Sequence, residues 1–173
     1  MSDIDTKPQT RTPIKVNKLG HLVYEVSDIE ATTKFWTDVL GFEVSDTNQL
    51  GMVFLRSAAD HHSIALVPST KKARPAADAG LRFHHLAMEV ESMEMLFAAR
   101  DFLRERGIPL SFEGRRGPGG NTGLEFEDPD GYTFEIYCNM DQVGPDGKTR
   151  PAEQFDRVGT LEESVARPLP RTY

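Results

Sequence analysis

The hydrophobic positions of this chain fall into two series of short runs, and the first run of each series reads almost the same: His21-Leu22-Val23-Tyr24-Glu25-Val26 and His85-Leu86-Ala87-Met88-Glu89-Val90. Each run suits a β-strand with a histidine at its head. After the first, Ser27 followed by Glu30 has the spacing of a capping box. It predicts a helix through Trp36, Val39 and Leu40 that stops at Gly41. Strands are predicted next over 42–45, 52–56 and 63–67, separated by the polar runs 46–49 and 57–60. After the second run the same order returns. Ser92 caps a helix running to Gly107, whose apolar face is Met95, Leu96, Ala99, Phe102 and Leu103. Strands follow over 110–113, 123–127 and 132–138, the last entered through the turn Asp128-Pro129-Asp130-Gly131.

The pattern predicts an α+β chain made as a tandem repeat of one βαβββ unit, with neither copy long enough to bury its own face well alone. The domain spans 17–140, with modules over 17–68 and 81–140. The segment 69–80, with Lys71, Lys72, Pro75 and several alanines, reads as a linker, and 1–16 as a flexible N-terminal arm. A C-terminal extension over 141–173 carries Pro145, Pro151, Pro168 and Pro170, with one short helix expected over 161–166. Its composition suits a cover over a site, a grip on a neighbouring subunit or loose solvated chain, and does not choose among them.

Length and charge narrow the function. A chain of 173 residues with 38% hydrophobic content fits one domain, or two modules sharing one core. A formal charge of -7 and a pI near 5.2 argue against a general affinity for nucleic acid or anionic membrane, with Arg115-Arg116 as the one local basic patch. Cys138 stands alone, which excludes an intramolecular disulfide. No stretch reads as a signal peptide or membrane span, so a cytoplasmic protein is expected.

The histidines form three clusters: His21, His61-His62 and His84-His85. A lone histidine at a strand head is usually a surface or hydrogen-bonded residue, but three clusters at related positions point together to a metal. Side chains alternate along a strand, so His21 shares its face with Val23 and Glu25, and His85 with Ala87 and Glu89. His84 then points to the opposite face, where it packs or hydrogen-bonds. Aligning the last strands of the two modules sets Ala65 against Glu135. A carboxylate between Phe134 and Ile136 is costly unless paired, bound to a cation or turned to a solvated face. The ligand reading is preferred because the position answers the two histidines.

The repeated βαβββ order, His21 and His85 at strand heads, and the stretch from Gly114-Arg115-Arg116-Gly117-Pro118-Gly119-Gly120-Asn121 to Asp128-Pro129-Asp130-Gly131-Tyr132-Thr133-Phe134-Glu135-Ile136-Tyr137 resemble the vicinal oxygen chelate superfamily. The resemblance is closest to the catalytic domain of type I extradiol ring-cleaving dioxygenases and covers roughly 18–139. It implies one curved-sheet metal-binding domain in which His21, His85 and Glu135 hold Fe(II), or less often Mn(II). Three coordination positions then stay open for a small aromatic diol and O2. It implies His62 as the catalytic acid-base, although strand alternation favours His61, which is held as the substitute. It also implies Arg116, Asn121 and Tyr137 on the substrate side, and a homo-oligomer. Two positions depart from the family pattern: Arg116 replaces a common histidine, and Glu125 a common tyrosine. Arg116 then either grips a substrate carboxylate or is a solvated loop charge, and the substrate is an acidic or modified catechol or the reaction differs. A glyoxalase-like isomerase or lyase is the main alternative, disfavoured because such enzymes place a fourth ligand where this chain has Ala65. A metal-free binding module of the drug-resistance kind leaves the coincidence of His21, His85 and Glu135 unexplained.

Overall fold

The computed structural model describes residues 20–70, 83–116, 119–143, 145–146, 148–170 and 172. The arm expected over 1–16 and nearly all of the linker expected over 69–80 lie outside the described residues. The first module comprises β1 (Leu22–Val26), helix α1 (Ile29–Lys34), β2 (Glu43–Thr47), β3 (Val53–Arg56) and β4 (Ile64–Pro68). The second comprises β5 (Leu86–Glu89), α2 (Met93–Glu105), β6 (Leu110–Arg115), β7 (Thr122–Glu127) and β8 (Thr133–Cys138). Their sheets have the same order, β1-β4-β3-β2 and β5-β8-β7-β6. In both, the first strand runs parallel to the last and the rest pair antiparallel. The fold is therefore α+β, and the repeat read from the sequence is a repeat of topology.

Local signals are corrected in two places. Asp28, not Ser27, caps α1, accepting from the Ala31 N–H at 2.9 Å. Ser27 is instead drawn across to the second module, its N–H donating to Asp130 at 2.9 Å and its hydroxyl to the same carboxylate. Ser92 does cap α2, but Met95 on that helix is 47% exposed. Leu96 and Leu103 are the buried residues, because the helix is rotated to set them over β7 and β8.

The modules share one core. Past Lys34 the helix widens into a π-helical turn over Phe35–Val39, the Leu40 N–H donating to the Phe35 carbonyl. That turn buries Phe35 and Trp36 together. The Trp36 ring meets Phe134 of β8 edge-on at 5.0 Å, and Phe35 lies 6.2 Å from Phe126 of β7. A polar clasp runs beside them. The Tyr24 hydroxyl accepts from Trp36 Nε1 at 2.9 Å and donates to Asp128 at 3.1 Å. Tyr24 also packs edge-on to Phe83 and Tyr132, at 6.2 and 5.0 Å, which joins β1 to the chain just ahead of β5 and of β8.

Of the three roles left open for the extension, loose chain is excluded. Helix α3 (Leu161–Ala166) inserts Leu161 into the common core, and Val158 forms a β-bridge with Arg115. Arg115 is buried, its guanidinium donating to Asp156 and to the Arg167 carbonyl. Arg150 is likewise buried on Asp141 and the Pro170 carbonyl. Of the basic patch expected at Arg115-Arg116, Arg115 is thus consumed internally, while Arg116 stays exposed and pairs with Glu125. Gly114 makes the docking possible. Its φ is +117°, and a Cβ there would lie 2.2 Å from the Val158 carbonyl oxygen.

Two outcomes follow from this packing. Gly114→Ala is expected to release the extension, seen as faster limited proteolysis between 141 and 170 with the sheets still intact by circular dichroism; unchanged cleavage would contradict the close approach. Burial pushes the Asp128 carboxyl up from 3.8 to about 6. The folded protein therefore holds a proton that the unfolded chain releases across this window, so Asp128 makes stability fall as pH rises from 3.8 to about 6 and has no further pH effect above. In urea unfolding, the stability of the wild type relative to Asp128→Asn should decline over that range and then level. A flat difference would refute the assignment.

Candidate metal centre

Register builds the site before any side chain is considered. The parallel pairing of β5 with β8 sets Ala87 opposite Glu135, and the antiparallel pairing of β7 with β8 sets Glu125 opposite Glu135. Alternation then sends Phe134 and Ile136 to the core and Glu135 and Tyr137 to the other face. His85, at the head of β5, brings Nε2 to 3.3 Å from Glu135 Oε2. Adjacent ligands on one octahedral divalent ion, bonded at about 2.1 Å, lie about 3 Å apart. The pair therefore has the spacing of two ligands of one cation.

Neighbouring groups fix both side chains. His84 Nδ1 lies 2.9 Å from His85 Nδ1, and in the tautomer in which His85 Nδ1–H donates, the Nε2 lone pair is left for the site. The role expected of His84 as a hydrogen-bonding residue is the one it has. Asn121 Nδ2 donates to Glu135 Oε1 at 3.0 Å. Gly123 lies beneath the carboxylate, where a Cβ would stand 2.6 Å from Glu135 Oε1. Asn121, expected on the substrate side, is thus engaged in orienting Glu135.

Glu125 joins the group. The ligand atoms of His85, Glu125 and Glu135 all lie within 4.8 Å of one another, with both carboxylates buried. Two like charges at that separation repel by roughly 3 kcal/mol at an effective dielectric of about 20. Burial raises the Glu135 pKa and Glu125 adds to the rise, while His85, Arg116 and Asn121 oppose it. Arg116 donates to Glu125 Oε2 at 2.7 Å and rests 3.8 Å over the Phe112 ring. The guanidinium expected either to grip substrate or to be solvated is more than half exposed and is at the same time tied to a buried acid. An imidazole with two carboxylates is a donor set suited to first-row divalent ions such as Fe(II) and Mn(II), and Gly123 leaves the space that ligation by Glu135 needs.

His21 lies outside that group and against His62, with ring centroids 4.8 Å apart. His62 in turn packs edge-on to Phe54 at 5.1 Å and shares a hydrogen with His61 across a 3.0 Å Nδ1 to Nδ1 contact. Burial, then the charges of His21 and His61, lower the His62 pKa. His61 is turned outward, its Nε2 3.8 Å from Asp46. Strict alternation fails here because β4 begins only at Ile64, leaving the two histidines in irregular chain. Ala65, the counterpart of Glu135, is fully buried. Tyr137 shares the face of Glu135, and burial, then Glu89 and Glu135, raise its pKa. Gly123 and the convergence of Glu125 were not legible in the sequence. The alternation of Glu125 and Glu127 with Leu124 and Phe126 was visible, but which acid opposes Glu135 depends on register.

The family model described as Glyoxalase/Bleomycin resistance protein/Dioxygenase superfamily matches residues 18–136. A manganese-dependent 2,3-dihydroxybiphenyl 1,2-dioxygenase from Geobacillus genomosp. 3 is 27% identical over 138 residues, which are 78% of this chain and 41% of the relative. This chain thus spans less than half the length of that relative. A protein named "Probable lactoylglutathione lyase" from Vibrio parahaemolyticus is 26% identical over 128 residues, 70% of this chain and 91% of the relative. Among solved structures, a glyoxalase/dioxygenase from Nostoc punctiforme superposes with a TM-score of 0.59 at 20% identity, over 77% of this chain and 98% of that one, a likeness of fold. The paired βαβββ sheets, the His85–Glu135 juxtaposition and a family match across both modules lead to one conclusion: the chain belongs to the glyoxalase/bleomycin resistance protein/dioxygenase superfamily.

Proposed function

We propose that the protein is an extradiol ring-cleaving dioxygenase that inserts both atoms of O2 into a small aromatic diol at an Fe(II) or Mn(II) centre held by His21, His85 and Glu135. The observation that carries this reading is the unequal pair Ala65 and Glu135. The two modules repeat one topology, yet the position that in one faces His85 with a carboxylate is in the other a buried methyl group. Three protein ligands leave three positions open, enough for both diol oxygens and dioxygen. When bound, the metal supplies a common centre on which diol and dioxygen meet.

The chain's own groups do the rest. Asn121 and His84 hold the Glu135 and His85 side chains in place, which keeps the donor atoms aligned before substrate arrives. His62 takes the diol proton and later returns it to the opening ring. Its lowered pKa keeps the imidazole neutral and ready to accept at neutral pH, and the Nδ1 contact with His61 helps fix its tautomer. Tyr137 and Phe54 contribute flanking ring surfaces. No helix among the described residues is long and apolar enough to cross a membrane, and the substrate is taken to be a free small molecule. A metal-dependent isomerase or lyase of the glyoxalase kind is the second reading. Glu125 favours it, because a second carboxylate in the group answers the need for a fourth ligand that Ala65 cannot meet.

Anaerobic loading with Fe(II) or Mn(II), followed by oxygen uptake and yellow product across a panel of catechols, tests the first reading. Stoichiometric metal binding without uptake on any diphenol would transfer preference to the second. Glu135→Ala is expected to lose the metal, read by equilibrium dialysis. His62→Ala should keep it and lose turnover by about 10²–10⁴-fold, the usual scale for a general acid-base. Normal turnover in His62→Ala with loss in His61→Ala would move the role to His61.

A further inference from the structure

We infer that Glu125 is itself a metal ligand in the substrate-free protein, a carboxylate oriented by Arg116 in the way that Glu135 is oriented by Asn121. The inference rests on the metal-centre reading above, though not on which reaction the centre runs. Three observations carry it. First, the ligand atoms of Glu125 fall within 4.8 Å of those of both His85 and Glu135, a group that mixes imidazole with carboxylate rather than a patch of surface acids. Second, the two acids are treated alike. Each has one oxygen tied to a fixed donor, Glu135 Oε1 to Asn121 at 3.0 Å and Glu125 Oε2 to Arg116 at 2.7 Å. In Glu135 the other oxygen faces His85 at 3.3 Å, and in Glu125 no hydrogen bond among the described residues engages Oε1. Ligating carboxylates are held in this way, by a donor on the oxygen that does not bind. Third, Glu125 and Glu135 are directly opposed across β7 and β8, and both are buried. Like charges in that register destabilise a sheet, and a cation bound by both acids relieves the repulsion that Arg116, held on Glu125, only partly offsets.

Arg116 explains why this arrangement leaves the charge of the centre unchanged. A carboxylate added to a site with two histidines and one glutamate lowers its net charge by one unit, and the guanidinium beside it restores that unit. The side chain of Glu125 is nearly enclosed, while that of Arg116 is 57% exposed and braced on Phe112. The two departures from the family pattern are thus one paired exchange. For ring cleavage the carboxylate has to yield its position when diol and dioxygen bind, and the contact with Arg116 supplies a place for its charge. For a glyoxalase-like reaction it stays as the fourth ligand.

Water-proton relaxation of the full chain loaded with Mn(II) tests this, because it reads the number of exchangeable waters on the ion without any turnover. Glu125→Gln is expected to gain one exchangeable water over the wild type and to weaken Mn(II) binding by about tenfold or more, the second on the scale of losses at metal sites. Weakened binding alone is also what a merely supporting residue gives, so the water number decides. Equal water numbers in wild type and variant would overturn the inference. If Glu125→Gln does not fold, Glu125→Asp keeps the charge and draws the oxygen back by about one carbon–carbon bond. It is expected to show the same gain, and an unchanged water number there would count equally against the inference. Failure of the dioxygenase reading looks different: no catechol-dependent oxygen uptake, with the extra water of the variant still present.

Discussion

Neither sheet of this protein has a core of its own, and the packing of Phe35 and Trp36 from one module against Phe126 and Phe134 of the other is the constraint on which the rest depends. Each module exposes an apolar sheet face too large for its own short helix to cover. Burying those faces together brings Tyr24 next to Trp36 and Asp128, and ties Ser27 to Asp130. The same contact sets Tyr24 of β1 beside Phe83, just ahead of β5.

The chemistry arises where the repeat is imperfect. On β8 the face turned away from Phe134 and Ile136 carries Glu135, whereas the corresponding place on β4 carries Ala65, so the near-symmetric frame holds an asymmetric set of donors. Small groups support it. Gly123 leaves room for the Glu135 carboxylate, and His84 and Asn121 hold the donors from outside. The extension adds a further layer: Arg115 of β6 anchors it through an ion pair to Asp156, and Arg150 braces it internally on Asp141. Such pairs contribute more to where the segment sits than to net stability, since the cost of desolvating the charges offsets much of their attraction. Leu161, fully buried, is the stabilising part of that contact.

Much of the fold was legible because it rests on local periodicity. Strand and helix order, the Ser92 cap and the short helix over 161–166 all depend on residues close in sequence. The errors were also local signals, overridden by distant partners. Ser27 had the spacing of a cap, but Asp130 from the other module claimed both its N–H and its hydroxyl, and Asp28 took the cap. Met95 fitted a helical apolar stripe, but α2 turns Leu96 and Leu103 to the core and leaves it in solvent. The extension could not be placed at all from composition, since its anchors are single residues that meet only in the folded chain.

By itself the sequence determined the repeated βαβββ order, the three histidine clusters and the contrast of Ala65 with Glu135, because each of these is a matter of residue identity and short spacing. Tertiary structure decided which of those residues meet. It drew His62 rather than His61 to His21, turned Asn121 to Glu135, and closed Arg116 on Glu125 beside His85 and Glu135. The physical reason is register. A strand fixes the face on which a side chain emerges, but only its pairing with a neighbouring strand fixes which side chain stands opposite.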